Sequence, residues 1–224
     1  MAFSGNSPGK RLFVALSKRL EYFKFGATTI SVYFNANTIG NASYTFAGDL
    51  NGDGASNNDL IYIPKDKSEM NFKTLTVFGG GPTFTPAQQA AAWDAVISQD
   101  EYLSAHRGEY AKRNAVFLPM VKRADLSVIQ EVFGTLKGSR NALQFRLDIL
   151  NVGNLINKNW GLGQTFVTTQ PLASPGADVN GKATYTLKTT GVGANATLIT
   201  TLRQQTVTQS DVYRLQLGGS YTFF

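Results

Sequence analysis

Polar and apolar side chains alternate through the last twelve residues of the chain, Tyr213 to Phe224. Apolar side chains occupy every second position, with one interruption at Gly219, and polar or small residues stand between them. Because successive residues of a strand point to opposite faces, this period predicts a β-strand with one polar and one apolar face. Such a strand crosses an outer membrane in some proteins and forms the edge of a soluble sandwich in others. The segment by itself leaves both interpretations open.

Four earlier segments show the same period and are also predicted to be strands. They cover residues 11–24, 30–37, 123–132 and 143–149. Lys18 interrupts the apolar face of the first segment, where a long side chain can carry its ammonium group towards water. In the fourth segment the polar face carries Arg146 and Asp148. Ionised groups there suit an aqueous lumen better than a packed core, because an unpaired buried charge is costly.

Short turns and long segments alternate along these five strands. The turns lie near Gly26 and Gly138, and the long segments cover about 38–119 and 152–211. Barrels of the outer membrane have short periplasmic turns and long extracellular loops, so this order is the one expected of a barrel. We therefore interpret both long segments as extracellular loops and expect the last strand to end in the periplasm.

Some regular structure is predicted inside the long segments. Thr85 followed by Pro86 is typical of a helix start, and the helix is expected to continue to about Ser104. In the second long segment, residues 184–188 and 196–203 are expected to form short strands of one hairpin.

Composition narrows the classes of protein that fit. Charged residues make up 16% of the chain, fewer than the roughly 25% of ordinary soluble domains. The net charge of +6 comes from scattered lysines and arginines with no basic cluster, so nucleic-acid binding is not expected. The absence of cysteine excludes a disulfide scaffold. No apolar run reaches the length of a transmembrane helix, and the N-terminal residues contain no segment like a signal peptide.

Three stretches and the C-terminal residues together resemble one protein family. The stretches are S-Y-T-F-A-G-D-L-N-G-D-G-A-S-N-N-D-L-I-Y-I-P at 43–64, S-Q-D-E-Y-L-S-A-H-R-G-E-Y-A-K-R-N at 98–114 and L-D-I-L-N-V-G-N-L-I-N-K-N-W-G at 147–161. They resemble the TonB-dependent outer-membrane receptors of Bacteroidota, in particular the Oar-like group with large barrels. The terminal signal that barrel proteins present to their assembly machinery is also matched, by Gln216, Gly218, Tyr221 and Phe223, with Phe224 as one further residue.

The resemblance implies an all-β fold, an antiparallel transmembrane β-barrel of 22 strands with an N-terminal plug. This chain resembles its last five strands, with two long extracellular loops, one of which contains a short helix. We expect residues 1–224 to be a single partial barrel domain that lacks the plug and the other strands. Because five strands cannot close a barrel, the chain is expected to be a fragment or a truncated reading frame.

The function implied by the resemblance is energised uptake or translocation of a bulky substrate across the outer membrane of a Gram-negative bacterium. The implied partners are outer-membrane lipid, the remainder of the barrel and plug, the barrel-assembly machinery, and TonB through the missing N-terminal part. The substrate-binding residues are not specified by the sequence. A soluble all-β binding module, dependent on calcium in one version, is the alternative.

One acidic loop has the spacing of the first half of a calcium-binding loop. Its candidate ligands are Asp49, Asn51, Asp53, Asn57 and Asp59, with Gly54 at the sixth position. The twelfth position, where a bidentate glutamate is expected, is Leu60, and Asp59 is an imperfect substitute. The other interpretation is a loop of Asx turns, in which the side chains bond to their own backbone. Apart from this calcium site, no cofactor is expected.

We do not expect catalysis. His106 is the only histidine, and its neighbours are interpreted as a packing cluster rather than a catalytic set. The run Gly79–Gly80–Gly81–Pro82 lacks the lysine of a phosphate-binding loop and is interpreted as a bend. Trp93 and Trp160 are interpreted as packing or interfacial residues.

Overall fold

Strand is the main secondary structure of the computed structural model, which describes residues 2–136, 138–206 and 208–223. Strands hold 45% of the chain and helices 12%, so the β class predicted from the sequence is confirmed, with sheets that are mainly antiparallel. No helix among these residues is long and apolar enough to cross a membrane.

The described residues form sixteen strands, three α-helices and one short 3-10 helix. The strands are β1 Arg11–Tyr22, β2 Gly26–Thr38, β3 Asn41–Ala42, β4 Phe46–Ala47, β5 Leu75–Thr76, β6 Thr83–Phe84, β7 Val116–Phe117, β8 Met120–Leu136, β9 Ser139–Leu150, β10 Gln164–Phe166, β11 Leu172–Ala177, β12 Ala183–Leu187, β13 Thr189–Thr190, β14 Thr197–Leu198, β15 Arg203–Gln205 and β16 Arg214–Phe223. The helices are α1 Pro86–Gln99, α2 Glu101–Ala105 and α3 Val152–Ile156, with a short 3-10 helix at Gly193–Asn195.

Five long strands form one antiparallel sheet in the order β1-β2-β8-β9-β16. All five correspond to segments in which the alternation predicted strands. Their register aligns the apolar faces of the five strands. One row of paired residues that crosses the whole sheet consists of Lys18, Ile30, Val128, Leu147 and Leu217. Because side-chain direction repeats every two residues, every second row points to the same side. The sheet therefore has one mainly apolar face and one mainly polar face.

Within the described residues this sheet is open. β1 pairs only with β2, and β16 pairs only with β9. Each of these two edge strands therefore presents a row of backbone groups that have no strand partner in the described part of the chain.

The described residues divide into two compact units. We call the first the sheet unit; it lies within Pro8–Ile39, Pro119–Gln164 and Gln205–Phe224 and contains the five-stranded sheet. We call the second the core unit; it lies within Met1–Ser7, Gly40–Leu118 and Thr165–Gln204. The core unit is built almost entirely from the two long segments that the sequence led us to interpret as loops.

The core unit has a hydrophobic core of its own. Parallel pairing of β4 with β11 sets Phe46 opposite Leu172, which joins the two long segments. The largest fully buried apolar side chains are Trp93, Tyr44, Phe46, Ile61, Ile63, Ile97, Leu103, Leu172, Leu187, Ile199 and Leu202. Strands of two or three residues are too short to show a period, so the alternation of the sequence did not predict this packing.

Helix α1 begins where the sequence predicts. The Thr85 hydroxyl accepts a hydrogen bond from the Gln88 backbone N–H, and the Gln88 side chain accepts one from the Thr85 N–H, which forms a capping box. The predicted helix is interrupted at Asp100, whose carboxylate caps α2 by accepting from two backbone N–H groups. Gln89 is fully buried on α1, donates to the Lys73 carbonyl at 2.7 Å and accepts from the Leu187 N–H at 3.0 Å.

The second long segment differs in detail from the prediction. It contains α3, for which no helix was predicted. The expected strand at 184–188 corresponds to β12, but β12 pairs with β11 rather than with residues 196–203. Within 196–203, β14 forms a hairpin with β13, and β11 and β12 form a second hairpin. A run rich in threonine and glycine has strand propensity almost throughout, so its pairing partners are set by packing rather than by local sequence.

Candidate functional site

The apolar face of the five-stranded sheet is exposed. Leu217 has 85% of its surface accessible and Leu16 has 67%, and Phe145 on β9 is also more than half exposed. The buried hydrophobic cluster contains residues of the core unit and none from the described residues of this sheet. A soluble sheet buries its apolar face against a second layer. Contiguous exposed apolar surface of this extent is typical of a face that another phase or partner covers.

Aromatic side chains lie at both ends of this apolar face. At the end with the short turns, Tyr22 and Tyr221 stand in one row of the sheet, and Phe23, Phe25 and Phe223 are exposed nearby. Gly26 stands between them in that row because a Cβ there would lie 2.8 Å from the Tyr22 ring.

At the other end of the sheet, Tyr213 precedes β16 and Trp160 follows α3, and each is about half exposed. Eight positions separate Tyr213 from Tyr221, which is about 26 Å of extended chain. Outer-membrane barrels carry an apolar band about 25 Å tall between two girdles of aromatic residues. Because barrel strands are tilted by about 40°, this length of strand rises by about 20 Å, which is somewhat less than the height of that band.

The opposite face carries polar and ionised side chains. One row across all five strands consists of Ser17, Ser31, Ser127, Asp148 and Gln216. The Ser17 and Ser31 hydroxyl oxygens lie 2.8 Å apart, and Asp148 forms an ion pair with Arg146 at 2.7 Å. A hollow of about 470 Å³ lies over this row.

A second ion pair on this face joins Arg19 of β1 to Glu131 of β8. Paired charges at these positions are suited to a wet surface, where exposed ion pairs are tolerated at little cost.

A buried carboxylate, Asp211, lies at the start of the segment that leads into β16. Only 2% of its surface is accessible. It forms an ion pair with Arg123 of β8 at 2.9 Å and accepts hydrogen bonds from the Gly163 N–H at 2.8 Å and from the Thr208 N–H and hydroxyl. Sequence reasoning missed this residue because its partners lie far from it in the chain and a single aspartate carries no periodic signal.

The pKa of Asp211 is set by opposing effects. Burial raises it, but hydrogen bonds from Thr208, the Gly163 N–H and Thr206 together hold the pKa well below the usual range of an aspartate. The carboxylate is therefore stabilised in its ionised form.

The stretch at 147–161 that resembles the receptor family forms a compact turn after β9. Asn151 is the N-cap residue of α3 and takes a left-handed backbone conformation. Its side chain makes no capping hydrogen bond to α3 and instead donates from Nδ2 to the Asp211 carbonyl at 3.1 Å. Asn154 donates to the carbonyls of Lys158 and Trp160 and accepts from the Tyr213 N–H. Gly161 approaches Asn151 so closely that a Cβ would overlap its side chain. These contacts fix the shape of the turn, and we assign no chemical role to its residues.

A second buried polar cluster lies in the core unit. The Tyr44 hydroxyl donates to Asp100 at 3.1 Å, and Arg203 forms an ion pair with the same carboxylate at 3.1 Å. Burial raises the pKa of the Tyr44 hydroxyl, and the charge of Asp100 raises it further. The cluster joins three segments that are distant in the chain, and no local sequence pattern predicts it.

The acidic loop is built from Asx turns. Asp49 accepts hydrogen bonds from the N–H groups of Gly52 and Gly54, and Asp59 accepts from those of Leu50 and Asn51. The side chains of Asn51, Asp53 and Asn57 likewise accept from backbone N–H groups within the loop.

The structure therefore brings the five candidate calcium ligands into one loop and directs at least one side-chain oxygen of each towards the backbone. Among the described residues, no group of three or more histidine, cysteine, aspartate or glutamate side chains has the arrangement of a metal site. The hydrogen bonds are those of the Asx-turn interpretation, and calcium binding itself is left to experiment.

His106 packs in a cluster, as the sequence suggested. Its ring stacks on Tyr102 with centroids 4.3 Å apart, and its Nδ1 lies 2.8 Å from the Tyr102 carbonyl oxygen. Arg107 forms an ion pair with Asp94 at 2.9 Å and donates to the Pro64 carbonyl. Trp93 is also a packing residue, with 1% of its surface exposed.

The residues of the terminal signal divide between the two faces of β16. Gln216 and Gly218 lie on the polar face, and Tyr221 and Phe223 are exposed on the apolar face with ring centroids 6.2 Å apart. Phe224, which the sequence analysis included in the signal, lies outside the described residues.

Comparisons with protein-family models, with curated proteins and with solved structures found no match for this chain. The function must therefore be inferred from the residues and their geometry.

Proposed function

We propose that the chain is the C-terminal part of a TonB-dependent outer-membrane receptor and that its five-stranded sheet spans the membrane as a segment of a β-barrel. The observation that carries this proposal is the exposed apolar face, which has aromatic residues at both ends and a charged face behind it. Lipid covers such a face in a barrel, while the polar face lines an aqueous lumen.

The lengths of the strands support the same proposal. The shortest, β16, has 10 residues and the longest, β8, has 17, and about 9–11 tilted residues span a bilayer. The turns at one end are short, and the long segments leave from the other end. In the proposed orientation the short turns are periplasmic, and the segments 38–119 and 152–211 are extracellular.

The open edges of the sheet require partners in a membrane. Lipid offers no hydrogen bonds to the outer backbone groups of β1 and β16, and each unsatisfied group costs several kcal/mol. In the proposed receptor the remaining strands of the barrel supply those partners, and the C-terminal Gln216, Gly218, Tyr221 and Phe223 are read by the assembly machinery. Energised transport of a bulky substrate through TonB rests on the resemblance of the sequence stretches.

Membrane fractionation tests the location. Envelopes of the cells that make the protein are separated into inner and outer membranes and washed with alkaline carbonate and urea. We expect the protein to stay in the outer membrane and to be released only by detergent. Recovery as a monodisperse, detergent-free monomer with cooperative unfolding would instead support the soluble binding module.

Cross-linking in intact cells tests the coupling to TonB. The intact receptor, including its N-terminal plug, is purified after cross-linking through this C-terminal part, and the adducts are identified by mass spectrometry. We expect TonB among them. If other receptors of the same cells yield TonB adducts and this one does not, the transport part of the proposal is wrong while the membrane location stands.

A further inference from the structure

A pocket of about 590 Å³ opens at the long-loop end of the sheet's apolar face. Its floor comes from Phe34 of β2 and Ala124 of β8, which are paired neighbours on that face. One wall comes from Ile156 of α3 and from Trp160, with 74% and 54% of their surfaces exposed. The pocket is therefore a continuation of the apolar face, narrowed into a groove by the turn that follows β9.

One cation stands in this otherwise apolar lining. Lys122 is exposed, lies two residues before Ala124 on the same face of β8, and contributes to the pocket. It forms no ion pair with any described acidic residue. Asn159, which is also exposed, is a polar residue of the same lining.

The arrangement matches an amphipathic anion. An apolar groove next to an unpaired ammonium group complements a molecule with a hydrocarbon chain and a negatively charged head, because the chain leaves water while the charge meets Lys122. The exposed indole of Trp160 is suited to the boundary between the two parts, since tryptophan prefers the level of lipid head groups.

We propose that this pocket binds an anionic, phosphate-bearing membrane lipid of the outer leaflet, whose head group carries a net negative charge, with one acyl chain along Phe34, Ala124 and Ile156 and the phosphate beside the Lys122 ammonium group. This proposal rests on the membrane location proposed above. It adds that the receptor selects among lipids at one defined place instead of meeting the bilayer uniformly.

Quenching of tryptophan fluorescence by brominated lipids tests the site. The intact receptor, with the remaining strands of its barrel, is reconstituted in vesicles of phosphatidylcholine that contain a minor fraction of brominated lipid, either phosphatidylglycerol or phosphatidylcholine. Trp93 is buried and Trp160 is exposed, so Trp160→Phe removes the accessible fluorophore of this segment and defines the background. We expect brominated phosphatidylglycerol to associate with Trp160 about five-fold more strongly than brominated phosphatidylcholine, the preference that one lysine gives for an anionic head group.

Three variants test the assignment of residues. Lys122→Gln is expected to abolish the five-fold preference, and Ala124→Phe, which fills the floor while keeping the cation, is expected to weaken association of both brominated lipids as minor components. Lys158→Gln is the matched control, because Lys158 is nearby in the chain but is not part of the pocket lining. It should leave the preference unchanged. Vesicles made wholly of brominated phosphatidylcholine report insertion of every variant.

The outcomes separate the two proposals. Quenching of Trp160 by the fully brominated bilayer without any preference for phosphatidylglycerol, or a preference that survives Lys122→Gln, would overturn the lipid site and leave the membrane location standing. No quenching by the fully brominated bilayer would contradict the membrane location and the lipid site together, and would indicate that protein covers the pocket.

Discussion

A single buried carboxylate, Asp211, joins three parts of the sheet unit. It pairs with Arg123 on β8, holds the turn after β9 through the Gly163 N–H, and bonds to Thr208 in the segment that leads into β16. These contacts fix where β16 begins at the long-loop end. Asp211 is buried, whereas the Arg123 side chain keeps 31% of its surface accessible, so most of the cost of losing the pair arises at the carboxylate and its hydrogen-bond donors.

Replacing Asp211 tests this interaction. Asp211→Asn should lower the free energy of unfolding of the sheet unit by about 2 kcal/mol, because an amide NH2 replaces one of the two buried carboxylate oxygens and leaves hydrogen-bond donors without an acceptor. Urea unfolding followed by Trp160 fluorescence measures the change. Arg123→Met should cost less in Asp211→Asn than in the original protein because their ion pair is already lost, and strictly additive effects of the two substitutions would show that they are not coupled.

The pKa of Asp211 predicts a dependence of stability on pH. Burial raises this pKa, but hydrogen bonds from Thr208, Gly163 and Thr206 lower it below the unfolded value of about 3.9. The ionised carboxylate therefore stabilises the fold fully above that pH, and this contribution is lost as the pH falls further. The original protein should lose more stability between about pH 5 and about pH 2 than Asp211→Asn does. Equal losses would contradict the assignment.

The acidic loop is predicted to keep its shape without calcium. Asp49 and Asp59 already accept backbone N–H groups across the loop, and Leu60 stands where a bidentate glutamate is expected. Calorimetric titration with calcium should show no specific heat at micromolar protein. Binding that disappears in Asp49→Ala and Asp53→Ala would instead establish the metal site.

At the scale of elements, the period of the sequence is informative where strands are long. The alternation from Leu143 to Ile149 predicts both the strand β9 and the direction of each side chain, because one face of the sheet is apolar throughout. The alternation does not predict the pairing of β4 with β11, because this pairing joins residues more than a hundred positions apart. The Asp211 cluster was missed for the same reason, since its partners are distant in the chain.

A charged residue introduced on the apolar face tests whether lipid or water covers that face. Leu217 is 85% exposed in β16, so Leu217→Arg should be almost neutral if water covers that face. In a bilayer it should cost about 2–4 kcal/mol, because this row lies near the middle of the apolar band. Unfolding in lipid vesicles measures the difference. Gln216→Arg on the polar face of the same strand is the matched control, and an equal effect of both substitutions would contradict the assignment of the faces.

At the scale of the whole molecule, the two units differ in how their apolar side chains are covered. The core unit buries Trp93, Phe46 and their neighbours against one another and is stabilised by its own interior. The sheet unit leaves its apolar face exposed, and in the described part of the chain each of its two edge strands pairs on one side only. In the proposed membrane, lipid and the remaining barrel strands complete it. The sequence predicts the sheet unit well because its environment imposes a regular pattern. It predicts the core unit poorly because that packing arises from many short, distant contacts.

Accessibility of single spin labels along residues 143–149 tests the central claim most directly. The chain has no cysteine, so each cysteine introduced in turn carries the only label, and collisions with oxygen and with a water-soluble nickel chelate are compared in membranes. We predict high oxygen and low nickel accessibility at Leu143, Phe145, Leu147 and Ile149, and high nickel accessibility at the residues between them. Apolar-face positions that are shielded from both reagents, as in a protein core, or open to nickel would contradict the membrane-spanning sheet.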